Sequence, residues 1–445
     1  MKRLLFAVAL VVAAGVPRLA PPAHAASAID GLWDAIVVAN GTEIPFRFEI
    51  TTTGTEAQGF FFEGDRKVGS GAGRFVDGVL TLDYDHLNTT LEVTLAGDAL
   101  TGTYKNKRPN ARPQELRMRR FAPVVLGQED PPALAGTWEM RRNADEATAS
   151  RDTRTWTVFL RQSGAEVTGS ILRVDGDTGT LVGHWKDGKL VLSHFAGERP
   201  NLFVAIPNAD GTLAVTLNGT AHYQVMRSSI ARAKGIPEPP DPSRYTSVKD
   251  PTAPLQFAFP DLAGKLVSST DARFKGKVVI LSIGGSWCPN CHDEAPFLSE
   301  VYKEYHARGL EIVGLMFEND PDPKVSRPRV QSFIKRYAVQ YPMLIAGTTN
   351  PSPTSKVIAE ALPQIVNFGA YPTTIYLGRD GRVRSVHAGF ASPATGQEHV
   401  RLKQELRELT EQLLAEPARS SAQPDRVAAA GSNRCTASVI TAGVS

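Results

Sequence analysis

A chain of 445 residues is longer than a single hydrophobic core usually organises, and its 42% hydrophobic and 21% charged content is ordinary for globular material, so two or three folded units are expected. A formal net charge of +3 gives no basic surface for nucleic acid or an anionic membrane. Three cysteines over this length exclude a disulfide-stapled scaffold, so cysteine here does chemistry or nothing.

In chain order, residues 1–25 read as a cleaved signal peptide. Lys2 and Arg3 precede an apolar run from Leu4 to Val16. Pro17, Pro21 and Pro22 break it, and Ala23-His24-Ala25 forms a small-x-small cleavage site. The run is short for a membrane span, so a periplasmic or secreted product is expected, with an uncleaved membrane tether as the alternative.

Residues 26–121 and 136–228 read as two copies of one design. Each opens on Gly-x-Trp (Gly31-Leu32-Trp33 and Gly136-Thr137-Trp138), and each carries an Asp-Gly turn before an alternating strand, at Asp77-Gly78 and Asp187-Gly188. Segments such as FRFEITTTG and TWTVFLRQSG are short, β-branched and aromatic. The expectation is an antiparallel β repeat, barrel- or sandwich-like, formed twice or as one larger unit. The Gly-x-Trp opening resembles that of lipocalin-like barrels. Trp33 and Trp138 are read as buried plugs of such a barrel, lining of a ligand cavity being the other reading. The repeats therefore have an open role: an unknown ligand, a protein partner, or spacing.

Residues 229–254 are proline-rich and aperiodic, which predicts a semi-rigid extended linker. From 255 to 415 strands and helices alternate. KVVILSIGG reads as a strand covered on both faces, followed from Pro289 by a helix striped with Leu298, Val301, Tyr302 and Tyr305 and stopped at Gly309. LEIVGLMF, PMLIAG, TTIYLG and RVRSVHAGF are further strands. Helices are expected around Val330 to Tyr337, at Val357-Ile358, and from Leu406 to Leu413. This alternation predicts an open α/β sheet with mainly parallel pairing. Residues 416–445 are small, polar and aperiodic, and read as a disordered tail.

The chemistry concentrates in GGSWCPNCHDEAPF, Gly284 to Phe297. A strand feeding a helix that starts at the cysteines puts Cys288 at the helix N-terminus, where free amides and the dipole favour thiolate. Cys291, about one turn on, is expected to be shielded. An exposed Cys288 thiolate would attack a partner disulfide and Cys291 would resolve the mixed disulfide, making Cys288–Cys291 a redox-active pair. Pro289 suits the first helical turn, and Pro296 should kink the helix. Glu294 shares a face with Cys291 and could take its proton, or be a first-turn acid favoured by the dipole. Haem attachment through C-x-x-C-H is the weaker reading, because His292 suits a solvent-facing helix position. Zinc lacks nearby further ligands, Cys435 being in the tail. No cofactor or metal is expected.

Trp287-Cys288-x-x-Cys291-x-x-Glu294-x-Pro296, Ala370-Tyr371-Pro372-Thr373-Thr374 before a strand, and a helix and strand over 328–346 together make residues 255–415 resemble the TlpA/ResA-like thiol-disulfide oxidoreductases. That resemblance implies a thioredoxin fold, a cis-proline loop at Pro372 flanked by Tyr371, and an exported, often membrane-tethered protein. It also implies protein disulfides as substrates and re-reduction by a membrane electron carrier. The Pro289-Asn290 pair between the cysteines departs from the commonest choice, and the β repeats lie outside the family plan. A peroxiredoxin-like peroxide reductase is a nearer rival than haem or zinc, but it would want Thr or Ser where Gly285 stands. A β-domain binding protein with a thioredoxin-like docking module is the remaining alternative.

Overall fold

The computed structural model describes residues 27–107, 111–124, 131–143, 155–349 and 354–417. The signal peptide with its cleavage site, Cys435, and the tail from residue 418 lie outside the described residues.

Each β repeat is a nine-stranded antiparallel sheet whose ends meet. In the first, Thr42–Thr53 pairs both with Gly31–Ala39 and with Glu56–Glu63, closing a barrel. In the second, Trp156–Ser163 pairs with Gly136–Arg142 and Glu166–Arg173 in the same way. Closure removes the exposed edges that an open sheet of this length would present. The choice between barrel and sandwich is therefore settled as two barrels, each with its own core.

The shared Gly-x-Trp opening has one physical explanation in both copies. Gly31 and Gly136 sit at φ 107° and 119°, where a side chain would be strained. That turn buries Trp33 and Trp138, whose Nε1 groups donate to the carbonyls of Ile29 (2.9 Å) and Leu134 (2.8 Å). The guanidinium groups of Arg120 and Arg227 close the barrel ends over these rings, 4.2 and 3.8 Å from their centres. Both tryptophans are core. The two Asp-Gly pairs are left-handed turns, Asp77 and Asp187 at φ 51° and 52°, as expected of tight hairpins.

The barrels are joined by Phe195. It comes from the second barrel yet belongs to the first barrel's core, 4.9 Å from Phe46, 5.3 Å from Tyr104 and 5.4 Å from Phe61. The hydroxyl of Tyr104 donates to Gly197 O at 2.7 Å beside it.

The segment read as an extended linker opens instead with a helix, Ser228–Ala233, whose Arg232 pairs with buried Glu139 of the second barrel. The prolines begin only after this helix, which is why the chain can still coil before them.

In the C-terminal unit a five-stranded sheet runs Met343–Thr348, Leu310–Glu318, Val278–Gly284, Thr373–Leu377, Val383–Ala388. The expectation of mainly parallel pairing needs correction. Val278–Gly284 and Met343–Thr348 pair in parallel with Leu310–Glu318, but Thr373–Leu377 runs antiparallel to both of its neighbours. Its link to Val383–Ala388 is the tight Arg379-Asp380-Gly381 turn, and a connection that short can only reverse direction. Alternate residues of Val278–Gly284 enter two different clusters. Val278 and Ile280 meet Leu298, Val301 and Leu406, while Val279, Leu281 and Ile283 meet Phe257, Val357 and Ile358. The strand is thus covered on both faces, and its last residue delivers the chain to the cysteines.

Candidate active site

The helix Pro289–Tyr305 begins where expected, with Cys288 as its N-cap and Pro289 in its first turn, and continues through Pro296. Cys288 and Cys291 are joined as a disulfide with a Cα separation of 5.2 Å. The Cys291 amide donates to Cys288 Sγ at 3.2 Å, so the helix terminus does offer a hydrogen bond to this sulfur. The expected difference in exposure is absent: Cys288 and Cys291 are 3% and 5% exposed. Tertiary packing decides this. Trp287 turns inward, its Nε1 donating to Phe317 O at 2.8 Å and its ring edge-on to Tyr371 at 5.5 Å. Both cysteines join the apolar cluster that contains Phe317 and Tyr371.

The loop before the cysteines is held by a residue that sequence reasoning missed. Glu318, fully buried at the end of the strand Leu310–Glu318, accepts from the Ser286 amide (2.8 Å) and hydroxyl (2.6 Å). An acid ending the apolar stretch from Ile312 to Phe317 was the available signal, since such a group, once buried, must have partners.

His292 is not solvent-facing as expected but 8% exposed. One ring nitrogen contacts Ser286 O at 2.8 Å and the other the Tyr337 hydroxyl at 2.9 Å. Burial lowers its pKa to about 4, so it is neutral near pH 7. With both nitrogens engaged, neither is free to ligate a haem iron.

Glu294 is buried. Its carboxylate accepts from Ser282 Oγ at 2.9 Å and from Thr374 Oγ. Burial raises its pKa to about 7, against the opposing pull of these two hydroxyls. It is therefore poised to hold or release a proton near neutrality, as a general base needs. Thr374 follows the loop containing Pro372, and the Tyr371–Pro372 peptide bond is cis. The Pro372 carbonyl accepts from Gly389 N at 2.7 Å.

Two cysteines at a helix start, a buried carboxylate on that helix and a cis-proline before the neighbouring strand form one constellation. Comparison with known protein families matches residues 248–401 to Redoxin. This stretch is a Redoxin domain. Among curated relatives, a thiol-disulfide oxidoreductase ResA of Bacillus cereus is 32% identical over 127 residues, 28% of this chain and 62% of that protein. The ResA of Geobacillus thermodenitrificans is 28% identical over 152 residues, 34% of this chain and 74% of that protein. The chain thus spans less than two thirds of the first of these relatives. Among solved structures, a thioredoxin-family thiol:disulfide interchange protein from Chlorobium tepidum TLS aligns over 38% of this chain and 99% of its own. It shows 24% identity and a TM-score of 0.28.

The Redoxin domain does not complete the site alone. The second barrel's turn from Leu172–Arg173 to Gly176–Asp177 lies against it. Asn290, between the cysteines, donates through Nδ2 to Asp175 O at 2.6 Å. A Cβ on Gly176 would lie 2.6 Å from Asn290 Cγ and 2.8 Å from Phe390 O, so the close approach requires glycine. Val174 packs with Ala370, two residues before Pro372. Asp177 accepts from Ser392 N (2.6 Å) and Ser392 Oγ (2.9 Å).

Arg199 of the second barrel reaches the same place. Its Nη1 donates to Asn290 Oδ1 and Asp293 Oδ2, each at 2.9 Å, and to Asp177 O at 3.1 Å. Glu63 of the first barrel stands 3.9 Å from Arg199 and 3.6 Å from His194, so all three units share one buried charge cluster. Burial disfavours the guanidinium charge, but the carboxylates of Asp293 and Glu63 outweigh it and hold the Arg199 pKa up. Burial wins at Asp293, whose pKa rises to about 6 against the pull of Arg199. Nothing in the local sequence marks Arg199, because its partners are some ninety residues away in the chain.

Proposed function

We propose that this protein is an exported thiol-disulfide oxidoreductase that reduces protein disulfides with the Cys288–Cys291 dithiol. The observation that carries the reading is a bonded cysteine pair at a helix N-terminus with a buried carboxylate, Glu294, raised to a pKa of about 7 on the same helix. Cys288 thiolate attacks one sulfur of a substrate disulfide, forming a mixed disulfide and releasing a substrate thiolate. Glu294 takes the proton of Cys291 as it becomes a thiolate, and Cys291 attacks Cys288 Sγ, expelling the second substrate thiol. Two electrons pass to the substrate, and the pair is left as the disulfide. A dithiol donor, a membrane electron carrier in this reading, must then re-reduce it. In this reading Pro372, at the cis Tyr371–Pro372 bond, faces the substrate, and Trp287, Pro289, Asn290 and Tyr371 set the surroundings of the pair.

Peroxide reduction fits less well. A Cβ on Gly285, three residues before Cys288, would lie 2.5 Å from Trp287 Nε1 and 2.8 Å from Phe317 O, so Thr or Ser has no room there.

The test is a thiol titration of the Cys435→Ser protein. The expected result is two thiols after reduction, both lost on mixing with a small disulfide-bonded protein while two substrate thiols appear. Loss of thiols to hydrogen peroxide alone would favour the peroxidase reading, and thiols inert to both would favour a docking module.

A further inference from the structure

The dithiol carries a dependence on the second barrel. Asn290 is the residue whose backbone links Pro289 to Cys291, and both ends of its amide are bound by the barrel: Oδ1 by Arg199 Nη1 at 2.9 Å and Nδ2 by Asp175 O at 2.6 Å. Arg199 also grips Asp293, two residues past Cys291. These bonds are buried, with Asn290 6% exposed and the Arg199 side chain 11% exposed. The underlying turn is itself anchored at Asp177, which binds Ser392 of the Redoxin domain. A buried guanidinium with this many charge-assisted contacts is rigid, and rigidity passes to what it holds.

We propose that Arg199 is a positioning residue of the redox centre, clamping Asn290 so that Cys288 and Cys291 are held at bonding separation. This rests on the dithiol reading above. Ring closure between two thiols is favoured in proportion to their effective concentration, and that concentration is set by how much of the backbone between them is fixed beforehand. The clamp lies on Asn290, one of the two residues between the cysteines. Loosening it leaves an open dithiol that gains freedom and a disulfide that does not, so the disulfide becomes the less favoured state.

The equilibrium of the pair with glutathione reads this directly. The dithiol gives two electrons and two protons to glutathione disulfide, forming the protein disulfide and two glutathione thiols. In the full chain carrying Cys435→Ser, Arg199→Ala should lower this equilibrium constant about tenfold, equivalent to a potential higher by about 30 mV. Asn290→Ala should shift it in the same direction, and the double variant should shift it by less than the sum of the two, because each removes the shared Arg199–Asn290 bond. Arg199→Lys, which keeps a cationic donor on the side chain, should recover part of the shift. A general loss of stability would leave the ratio of the two redox forms unchanged. Asn290→Ala lies within the Redoxin domain and keeps the test open should Arg199→Ala fold poorly.

The proposal is overturned if both single variants stay within about twofold of the parent, if their effects add, or if Arg199→Lys recovers nothing. A parent protein with no reversible couple in glutathione would instead overturn the dithiol reading itself.

Discussion

Arg199 of the second β barrel donates to the side-chain oxygen of Asn290, the residue between the two cysteines, at 2.9 Å. The second β repeat therefore packs directly on the segment between the cysteines. Through Arg199, Asp175 and Asp177 it contacts the helix start and the 390–392 loop of the Redoxin domain, and Phe195 ties the first barrel to the second.

Division of labour between the thiols is testable by trapping. Cys291→Ser should accumulate a mixed disulfide between Cys288 and a small disulfide-bonded substrate, seen on a non-reducing gel, because attack proceeds and resolution cannot. Cys288→Ser should trap nothing. Capture by Cys288→Ser with none by Cys291→Ser would reverse the assignment.

Glu294 predicts a specific pH dependence of stability. Its folded pKa of about 7 exceeds the ordinary 4.5, so between these values the folded chain keeps a proton that the unfolded chain has released. Stability contributed by this group is complete below about pH 4.5 and falls as pH rises towards 7, by up to roughly 3 kcal/mol. The difference in urea stability between Glu294→Gln and the parent should trace this window. Mixed-disulfide resolution in the parent should also speed up through pH 7 and lose that dependence in Glu294→Gln. A flat difference curve would show that the carboxyl is ionised throughout.

Asp177 should control access to the pair. Asp177→Ala removes the acceptors of Ser392 N, Ser392 Oγ, Gly179 N and Ser170 Oγ, leaving buried donors unpaired at a cost of about 1–3 kcal/mol each at most. The reduced variant should react with iodoacetamide several-fold faster at Cys288 than the parent does. An unchanged rate would mean that the barrel turn does not shield the thiol.

Phe195→Ala should destabilise the joint between the barrels by about 3–5 kcal/mol, the usual cost of emptying a buried aromatic site. Thermal unfolding should then separate into more transitions than in the parent. Retention of one unchanged transition would show that the barrels do not depend on this plug.

Export predicts a mature N-terminus near Ala26, from the Ala23-His24-Ala25 site. N-terminal sequencing of protein from the producing cell should find it. Met1 retained on membrane-bound protein would favour the tether instead.

What the sequence determined by itself was local. The alternation in FRFEITTTG, the Asp-Gly turns, the mainly apolar LEIVGLMF and the cysteines behind a strand each depend on neighbours within a few residues, and each strand, turn and helix start appears where those signals put it. Closure of the barrels, the antiparallel placement of Thr373–Leu377, the burial of Cys288 and His292, and the clamp of Arg199 on Asn290 depend on residues tens to hundreds of positions apart. A buried arginine and an exposed one are the same letter until the fold supplies Asp293 and Asn290 as partners. Only the tertiary structure could decide them, because desolvation and hydrogen bonding act on what is near in space, whatever its place in the chain.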